Sequence, residues 1–374
     1  MITQKQISEI VAKYDKQNIH IGVLGGHSAL DICRGAKKLG FKTVAVCQKG
    51  RDKTYSKYYK SRDGKGCVDE VILVNRFEDI TKVQEQLRKL NTIFIHNRYF
   101  WVYFEDYAKI ENEFLVPIFG TRDMVKLEER DQPVNQYHLL EKAKVRIPKL
   151  FIDPKKIDTL VIVKVNEALR GYERAFFFCS SYEEYDKITE NLLKEKTITK
   201  KALDKAVIEE YIIGAQVNFN YFYSNLTNEL ELMGTDTRRQ TNLDGILRLP
   251  ADVQLDILKY VKPKLIETGH IAVTTKESII EKAFKIGEQF VATCKKEHPP
   301  GIIGPFALQG SVSAAEGKEE IVIFDVSFRI PGSPGTMFTP YTGYLYGESI
   351  SYGERIAMEI RKAIEEGKLD KICT

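Results

Sequence analysis

The sequence has little of what marks chains that bind nucleic acid, cross membranes or depend on disulfides. Its six cysteines in 374 residues are far apart and form no CxxC pair, so we expect reduced thiols rather than disulfides or zinc ligands. No apolar run approaches the roughly 18–20 residues that span a bilayer, and the N-terminal stretch MITQKQISEI is polar. No block of five or six like charges occurs, and the net charge of +4 is spread along the chain. We therefore predict a cytoplasmic protein with no membrane or nucleic-acid partner.

The first third of the sequence alternates strand and helix patterns. Short β-branched runs separated by amphipathic stretches are typical of a parallel, doubly wound sheet. This pattern predicts a Rossmann-like α/β unit over residues 1–120, whose last strand is Phe114–Gly120. The predicted strands before it are Ile19–Leu24, Thr43–Cys47, Val71–Val74 and Thr92–Ile95, with a helix at about 28–39.

Residues 121–374 have a different character. A helix is predicted from about Pro133 to Ala143, followed by the strand Leu160–Val165. Two further helices are indicated by capping boxes, Ser181 with Glu184 and Ser351 with Glu354. The remaining patterns favour antiparallel strands and few helices, which makes this unit α+β. Those strands are predicted at 176–178, 206–208, 217–223, 229–233, 303–311 and 321–327.

The segment Gly25-Gly26-His27-Ser28 directly follows the first strand and opens a helix. Two glycines let the backbone approach an anion, and free N–H groups at a helix N-terminus favour negative charge. His27 could then bond a phosphate or a sugar hydroxyl. The structural alternative is an ordinary turn whose glycines serve only geometry, because the full GxGxxG pattern is missing.

The strongest constellation is a hairpin near the C-terminus. Strands 305–311 and 321–327 flank a polar turn at 315–318, and a hairpin centred on Gly317 places Gln309 opposite Asp325. Opposed side chains have Cβ atoms about 4.5–5.5 Å apart, so both oxygens could reach one hard cation. Ser327 and Arg329 follow on the same face by the strand period of two. This strip suits a divalent metal with phosphates, and it makes Arg329 a candidate for stabilising charge during transfer. The structural alternative is that this strip is only the polar outer face of the hairpin.

Weaker signals occur in the sequence between the His27 segment and the C-terminal hairpin. Lys164 sits in an apolar strand where a lone ammonium would be costly, so either a nucleotide phosphate or a structural ion pair is expected. Glu209-Glu210-Tyr211-Ile212 ends a strand at an apolar turn, which suits an adenine and ribose hinge. Asp236, Arg238, Arg239 and Asn242 could contact phosphate or ribose or form an exposed turn. The histidines show no metal-ligand spacing such as HxxxH.

Beyond single motifs, the chain resembles the archaeal folate-independent FAICAR synthetases, the PurP family of the ATP-grasp superfamily. The similarity covers nearly the whole length. Matching stretches occur in consistent order: LGGHSALDICRGAKKLGF, QKGRD, ENEFLVPIFGTR, VIVK, IEEYIIG, YFYS, NLDGILRLPA, PPGIIGPFALQ and SYGERIA.

The resemblance implies a pre-ATP-grasp domain at 1–120 and an ATP-grasp domain at 121–374. It implies that ATP, with Mg²⁺ or Mn²⁺, activates formate as formyl phosphate, which the amine of the purine ribotide AICAR attacks to give FAICAR. It also implies a homo-oligomer. The substrate-binding residues expected on this basis are His27, Ser28, Tyr99 and His270; those for ATP are Lys164, Glu209, Glu210, Ile212 and Asn242; the metal ligands are Gln309 and Asp325.

Several positions depart from the family pattern. Residues 165–174 keep only Gly171 of a glycine-rich loop, Asn97-Arg98-Tyr99 replaces His-Gly-Ser, His270 replaces Asn, and Asp325 replaces the usual Glu. Two alternatives therefore stay open: a paralogous ligase with another carboxylate or amine, and a nucleotide-binding protein without catalysis.

Overall fold

A computed structural model of the chain describes residues 1–104, 106–129, 134–165, 175–261, 263–264, 266–315 and 317–374. Of the predicted loop at 165–174, only Val165 lies within these ranges, and the predicted helix start at Pro133 lies outside them. Within them, no helix is long and apolar enough to cross a membrane.

The N-terminal third forms a parallel sheet, as predicted. Its strand order among the described residues is β3-β2-β1-β4-β5. Strand β1 is buried along its whole length, which fits a sheet covered on both faces. The last strand is shorter than predicted and holds only two residues. The elements are α1 (Gln4–Ala12), β1 (His20–Leu24), α2 (Ala29–Lys38), β2 (Lys42–Gln48), β3 (Glu70–Val74), α3 (Gln84–Lys89), β4 (Thr92–Ile95), α4 (Tyr99–Val102), α5 (Ala108–Asn112) and β5 (Ile118–Phe119).

This topology creates a crevice. Strand β1 lies between β2 and β4, so the chain leaves β1 toward one side of the sheet and later continues on the other. In open α/β sheets such a reversal of strand order leaves a gap at the carboxyl ends of the strands, where ligands bind. The predicted His27 turn follows β1 and Arg98 follows β4, so both lie at this gap.

The rest of the chain is built mainly on two antiparallel sheets, which confirms the α+β prediction. Their strand orders are β6-β9-β7-β8 and β12-β11-β10-β13-β14. The elements are α6 (Gln136–Lys142), β6 (Leu150–Phe151), β7 (Val161–Val165), β8 (Ala175–Cys179), α7 (Tyr182–Lys194), α8 (Lys200–Leu203), β9 (Val207–Glu210), β10 (Ala215–Ser224), β11 (Glu229–Gln240), α9 (Leu243–Ile246), α10 (Ala251–Ile257), β12 (Glu267–Val273), α11 (Glu277–Glu297), β13 (Gly304–Ala315), β14 (Lys318–Ser327), α12 (Tyr341–Tyr346) and α13 (Tyr352–Glu365).

Both helix starts indicated by capping boxes are present, at α7 and α13. Ser181 Oγ accepts from the Glu184 N–H, and Ser351 Oγ accepts from the Glu354 N–H. In α7 the second hydrogen bond of a capping box is different. The Glu184 carboxylate accepts from the Ser180 N–H rather than from the N–H of the N-cap residue Ser181.

Helix α11, the longest in the described chain at 21 residues, was not predicted. Its buried side chains nevertheless repeat with helical spacing, because Ile279, Ala283, Gly287, Phe290 and Cys294 are three or four residues apart. They pack in the core of the five-stranded antiparallel sheet.

Helix α13 returns to the N-terminal unit and packs on α2. The contact is so close that a Cβ on Gly35 would lie 2.1 Å from the Glu354 nitrogen, and one on Gly353 would lie 2.0 Å from the Asp31 oxygen. Side chains of α13, including Ile356 and Ile360, therefore belong to the same core as β1 and α2. The domain boundary at residue 120 remains a prediction.

Candidate active site

A polar cleft lies between the end of the parallel sheet and the five-stranded antiparallel sheet. The parallel sheet contributes His27 and Arg98, and the antiparallel sheet contributes the larger share of the polar lining. An adjoining open volume of about 750 Å³ shares His27 and includes Ser28. The polar and charged lining of the cleft consists of His27, Arg98, Asn218, Asn220, Asp236, Arg238, Glu267, His270, Gln309, Ser327, Arg329 and Ser333.

Glu267, on β12, is the electrostatic centre of the cleft. Its Oε1 lies 3.2 Å from His27 Nε2 and 3.0 Å from His270 Nε2. Its Oε2 lies 3.6 Å from Arg238 Nε and 3.9 Å from an Arg98 nitrogen. Burial acts to raise the pKa of Glu267, but these donors outweigh it and hold that pKa well below its usual range. Glu267 is therefore an ionised acceptor that ties four basic side chains together.

His27 is held in one tautomer by this arrangement. Burial lowers the pKa of His27, so its imidazole is neutral near pH 7. Because an ionised carboxylate can only accept, Nε2 of His27 carries the proton that is donated to Glu267. Nδ1 is then the unprotonated nitrogen. It is buried, next to Gly332, where an added Cβ would lie 2.3 Å away.

His270 has the opposite protonation state. Its Nδ1 donates to Asp236 and its Nε2 to Glu267. Burial acts to lower the pKa of His270, but the two carboxylates raise it to about 9. Asp236 is itself fixed by amide donors, since Asn218 Nδ2 lies 2.9 Å and Asn220 Nδ2 2.6 Å from its oxygens. His270 is thus an imidazolium between two acceptors.

This protonation state predicts a pH-dependent contribution to stability. Because the folded-state pKa of His270 exceeds the value of about 6.5 in an unfolded chain, its contribution is complete below about pH 6.5 and lost as pH rises through about 9. We expect this loss to be about 3 kcal/mol, since each unit of pKa difference corresponds to about 1.4 kcal/mol. Urea unfolding at pH 6 and pH 9.5 should show that His270→Asn removes that part of the pH dependence.

The control for this measurement is His138→Asn on α6, a histidine outside the described lining of the cleft. It should leave the pH dependence unchanged. An equal pH dependence in wild type and in His270→Asn would contradict the assigned protonation state.

Ser28 and Tyr99 shape the turn that carries His27. The Ser28 hydroxyl donates to the Pro331 carbonyl at 2.7 Å, which joins the turn to the segment after β14. Tyr99 packs against Gly26 so closely that a Cβ there would lie 2.1 Å from its ring. Asn97 completes the turn, since its Nδ2 donates to the Leu24 and His27 carbonyls at 3.0 Å each.

The hairpin places Gln309 opposite Asp325, as predicted, but by a different route. The two strands pair Ala315 with Lys318, so the turn is one residue shorter than a turn centred on Gly317 requires. A bulge then shifts the register between Gln309 and Gly310, because Gly310 pairs with Ile323. The extra residue, Phe324, restores the predicted pairing.

Arg238 projects onto this pair from β11. Its guanidinium donates to Gln309 Oε1 and lies 3.8 Å from Asp325 Oδ2. The side-chain oxygens of Gln309 and Asp325 thus already face one positive group. Amide and carboxylate oxygens are ligands that hard divalent cations take. The described residues contain no group of three His, Cys, Asp or Glu side chains that could hold a metal. A divalent cation held by this pair would take its remaining ligands from phosphate and water oxygens.

Arg329 lies at the base of the cleft. It is buried, its guanidinium is 3.6 Å from Glu128, and it donates to the Ile330 carbonyl at 3.2 Å. Burial lowers the pKa of Arg329 and raises that of Glu128. Nε of Arg329 has no partner among the described residues, so the side chain can still donate to a ligand.

Lys164 forms the ion pair that the structural alternative predicted. Its partner is Glu209, which also accepts from the Tyr137 hydroxyl. Tyr137 lies 3.3 Å from the Phe324 carbonyl, and the Lys164 ammonium lies 6.0 Å from the centre of the Phe324 ring. These predicted nucleotide-binding residues are therefore next to the bulge beside Asp325. A contact between Lys164 and nucleotide remains a prediction.

The other predicted nucleotide-binding residues are not among the described lining of the cleft. Glu210 accepts from Arg146 and from the Lys149 N–H, both at 3.0 Å. Ile212 follows β9 in a half-buried loop. Asn242, between β11 and α9, accepts from the Lys264 N–H at 2.6 Å.

The residues missed in the sequence are those that organise the cleft. Glu267, Asn218 and Asn220 carried no motif, and Asp236 and Arg238 had only a weak signal. Asn218, Asn220 and Asp236 alternate along β10 and β11, so a polar face with period two was the available clue. Glu267 and His270 lie on an edge strand that was not predicted.

The described residues have an ATP-grasp fold, with a parallel sheet followed by two antiparallel sheets. A biotin carboxylase domain from Hydrogenobacter thermophilus, solved with MgADP, ADP and bicarbonate, has the same fold at a TM-score of 0.57 and 14% identity, over 90% of this chain and 69% of that chain. Family models match a protein of unknown function, DUF1246, at residues 21–151 and a domain of unknown function, DUF1297, at residues 184–374.

The relatives define the family. A 5-formaminoimidazole-4-carboxamide-1-(beta)-D-ribofuranosyl 5'-monophosphate synthetase from Methanocaldococcus jannaschii is 39% identical over 100% of both chains. The crystal structure of an IMP biosynthesis protein, PurP, from Thermococcus kodakaraensis is similar at a TM-score of 0.71 and 26% identity, over 95% of this chain and 100% of that chain. The chain belongs to this synthetase family, which confirms the resemblance seen in the sequence.

Proposed function

We propose that the protein is an ATP-dependent ligase that formylates AICAR to FAICAR with formate. The observation that carries this proposal is the cleft itself. It joins the His27 turn at the gap of the parallel sheet to Gln309 on the antiparallel sheet, and Gln309 pairs with Asp325 across the hairpin. Identity of 39% over the full length of a named synthetase supports the same reaction.

The reaction has two balanced steps. A formate oxygen attacks the γ-phosphorus of ATP, the bond to the β-phosphate oxygen breaks, and ADP leaves. The AICAR amine nitrogen then attacks the formyl carbon of formyl phosphate, phosphate leaves, and the nitrogen loses one proton. Catalysis of such transfers depends mainly on positioning and on stabilising charge.

The side chains divide between these steps. His27, Ser28, Tyr99 and His270 would hold the ribotide at the gap of the parallel sheet. Lys164, Glu209, Glu210, Ile212 and Asn242 would hold ATP, and Arg329 would stabilise charge on the transferred group. Gln309 and Asp325 would bind Mg²⁺ or Mn²⁺, which neutralises phosphate charge when bound.

The test is direct. Purified protein with ATP, Mg²⁺, formate and AICAR should release ADP and form FAICAR in equal amounts, and omission of formate should abolish both products. Absence of FAICAR between pH 6 and pH 9 in a folded preparation would sink the proposal.

A second candidate keeps the ligase but changes the acid or the amine. The observation that favours it is His270, an imidazolium held by Asp236 and Glu267 where the resembled family has Asn. A screen of ADP release over carboxylates and purine ribotides separates the two candidates. A higher kcat/KM for another pair than for formate and AICAR would favour the second.

We also propose that the protein is a homo-oligomer that self-associates through the segment 247–261. Helix α10 buries none of its side chains, while Leu255 and Tyr260 are 67% and 87% exposed. Contiguous apolar exposure of this kind marks interfaces. Light scattering should show that the double variant Leu255→Asp and Tyr260→Asp is monomeric, whereas Lys259→Ala keeps the wild-type mass. An unchanged mass for the double variant would contradict this interface.

A further inference from the structure

Arg238 lies between the two halves of the cleft. One guanidinium nitrogen donates to Gln309 Oε1 and is 3.8 Å from Asp325 Oδ2. Nε lies 3.6 Å from Glu267 Oε2 on the other side. The side chain therefore reaches both the predicted metal ligands and the carboxylate that holds His27 and His270.

The position of the Gln309 amide makes this contact specific. Gln309 Nε2 donates to Ser327 Oγ at 3.1 Å. The amide nitrogen is thus already used, and the oxygen is the atom left to face Arg238. Because the same oxygen is a predicted metal ligand, Arg238 and a divalent cation need the same acceptor.

We propose that Arg238 and the divalent metal compete for Gln309 and Asp325, so that Arg238 positions these ligands before the metal binds and then moves toward Glu267. This inference rests on the metal assignment in the proposed function. Like charges cannot share one oxygen pair at contact distance without strong repulsion. Displacement toward Glu267 keeps the guanidinium beside an ionised carboxylate and brings it to the part of the cleft that His27 and His270 line.

The neighbouring Arg239 supplies a matched control. It is on the same strand but on the opposite face, because successive side chains of a strand alternate. Its Nε lies 4.0 Å from Asp244, which is outside the described lining of the cleft. Arg239→Gln removes the same charge without touching Gln309 or Asp325.

The experiment measures Mn²⁺ binding to the full chain by electron paramagnetic resonance without nucleotide. We expect Arg238→Gln to bind Mn²⁺ about tenfold more tightly than wild type, and Arg239→Gln to change the affinity less than about twofold. Loss of a residue with only a structural role would weaken binding or leave it unchanged. Equal affinities for Arg238→Gln and wild type, or equal gains in the two glutamine variants, would overturn the competition.

Two further variants complete the design. Arg238→Lys keeps the charge but cannot reach the oxygens of both Gln309 and Asp325. It should therefore bind Mn²⁺ at least about threefold more tightly than wild type. This variant replaces Arg238→Gln in the experiment if Arg238→Gln fails to fold. Asp325→Asn should abolish the Mn²⁺ signal at this site. Unchanged Mn²⁺ binding by Asp325→Asn would overturn the assignment of the metal ligands. If the protein synthesises FAICAR but Arg238→Gln binds Mn²⁺ no more tightly than wild type, only the competition is overturned.

Discussion

Replacing Asp325 by Asn is expected to lower kcat/KM for ATP-dependent formylation at least about 10²-fold. The substitution keeps the size of the side chain but removes the one carboxylate of the Gln309 and Asp325 pair. Without the carboxylate, the site holds the cation that neutralises phosphate charge less well. Removing one group that stabilises charge in this way typically lowers the rate about 10²–10³-fold. Coupled measurement of ADP release, with FAICAR detected separately, gives the value.

Asp325→Glu is the matched control for this prediction. It restores the carboxylate that the resembled family usually has at this position, so we expect activity within about tenfold of wild type. Thermal unfolding should be nearly unchanged in both variants, because Asp325 is not buried. A folded Asp325→Asn variant with wild-type activity would remove Asp325 from the metal site. A loss of activity in a folded variant would, conversely, exclude a protein that only binds nucleotide.

The largest expected effect on stability comes from Arg355. Its guanidinium forms two bonds of 2.7 Å to Glu231 and one of 3.0 Å to Glu359, and it lies 4.1 Å above the Phe222 ring. All three charged side chains are buried. Arg355→Ala leaves two carboxylates buried without their cation, which typically costs about 3–5 kcal/mol. Urea unfolding at pH 7 measures this loss.

Two controls separate the buried charge from the helix. Lys362→Ala on the same helix removes a half-exposed cation 4.0 Å from Glu366, and it should cost less than about 1 kcal/mol. The triple variant Glu231→Leu, Arg355→Met and Glu359→Leu should recover most of the loss, since apolar groups of similar volume replace buried ion networks well. A cost below about 1 kcal/mol for Arg355→Ala would show that the buried carboxylates find other partners.

Much of the fold follows from local pattern. The parallel strands of the first third are short, β-branched and, except for parts of β3, mostly buried, so burial and propensity agree and the predicted bounds differ by only a residue or two. Strand β5 is the exception, because Phe114 and Val116 are buried in the core beside the sheet rather than paired in it. The sequence shows that these residues are apolar, but it does not distinguish a strand from a buried loop.

The hairpin shows how a correct contact can follow from an incorrect local detail. Counting from Gly317 gives the right partners for Gln309 only because the shorter turn and the bulge at Phe324 offset each other. A bulge depends on how the strand twists against its neighbours, and Phe324 meets Tyr137 and Lys164 from other elements. No local motif encodes those contacts.

The site residues divide in the same way. His27, Gln309 and Asp325 lie in recognisable turns and strands, so their residue types and spacing were informative. Glu267 matters because side chains from the β1–α2 turn, the segment after β4, and strands β11 and β12 converge on it. Convergence of distant segments is a property of tertiary structure. In the sequence alone, an isolated Glu on an edge strand has the same pattern as an exposed surface charge.

The packing of α13 on α2 has a consequence for synthesis on the ribosome. The N-terminal core includes Tyr352, Ile356 and Ile360, and the helices meet at Gly35 and Gly353 without room for a side chain. A nascent chain that has emerged only through β5 therefore still exposes the apolar face of α2. At about 5–20 residues per second, the missing helix follows about 10 to 50 seconds later. During that interval the first unit is the part of the molecule that most needs protection by chaperones.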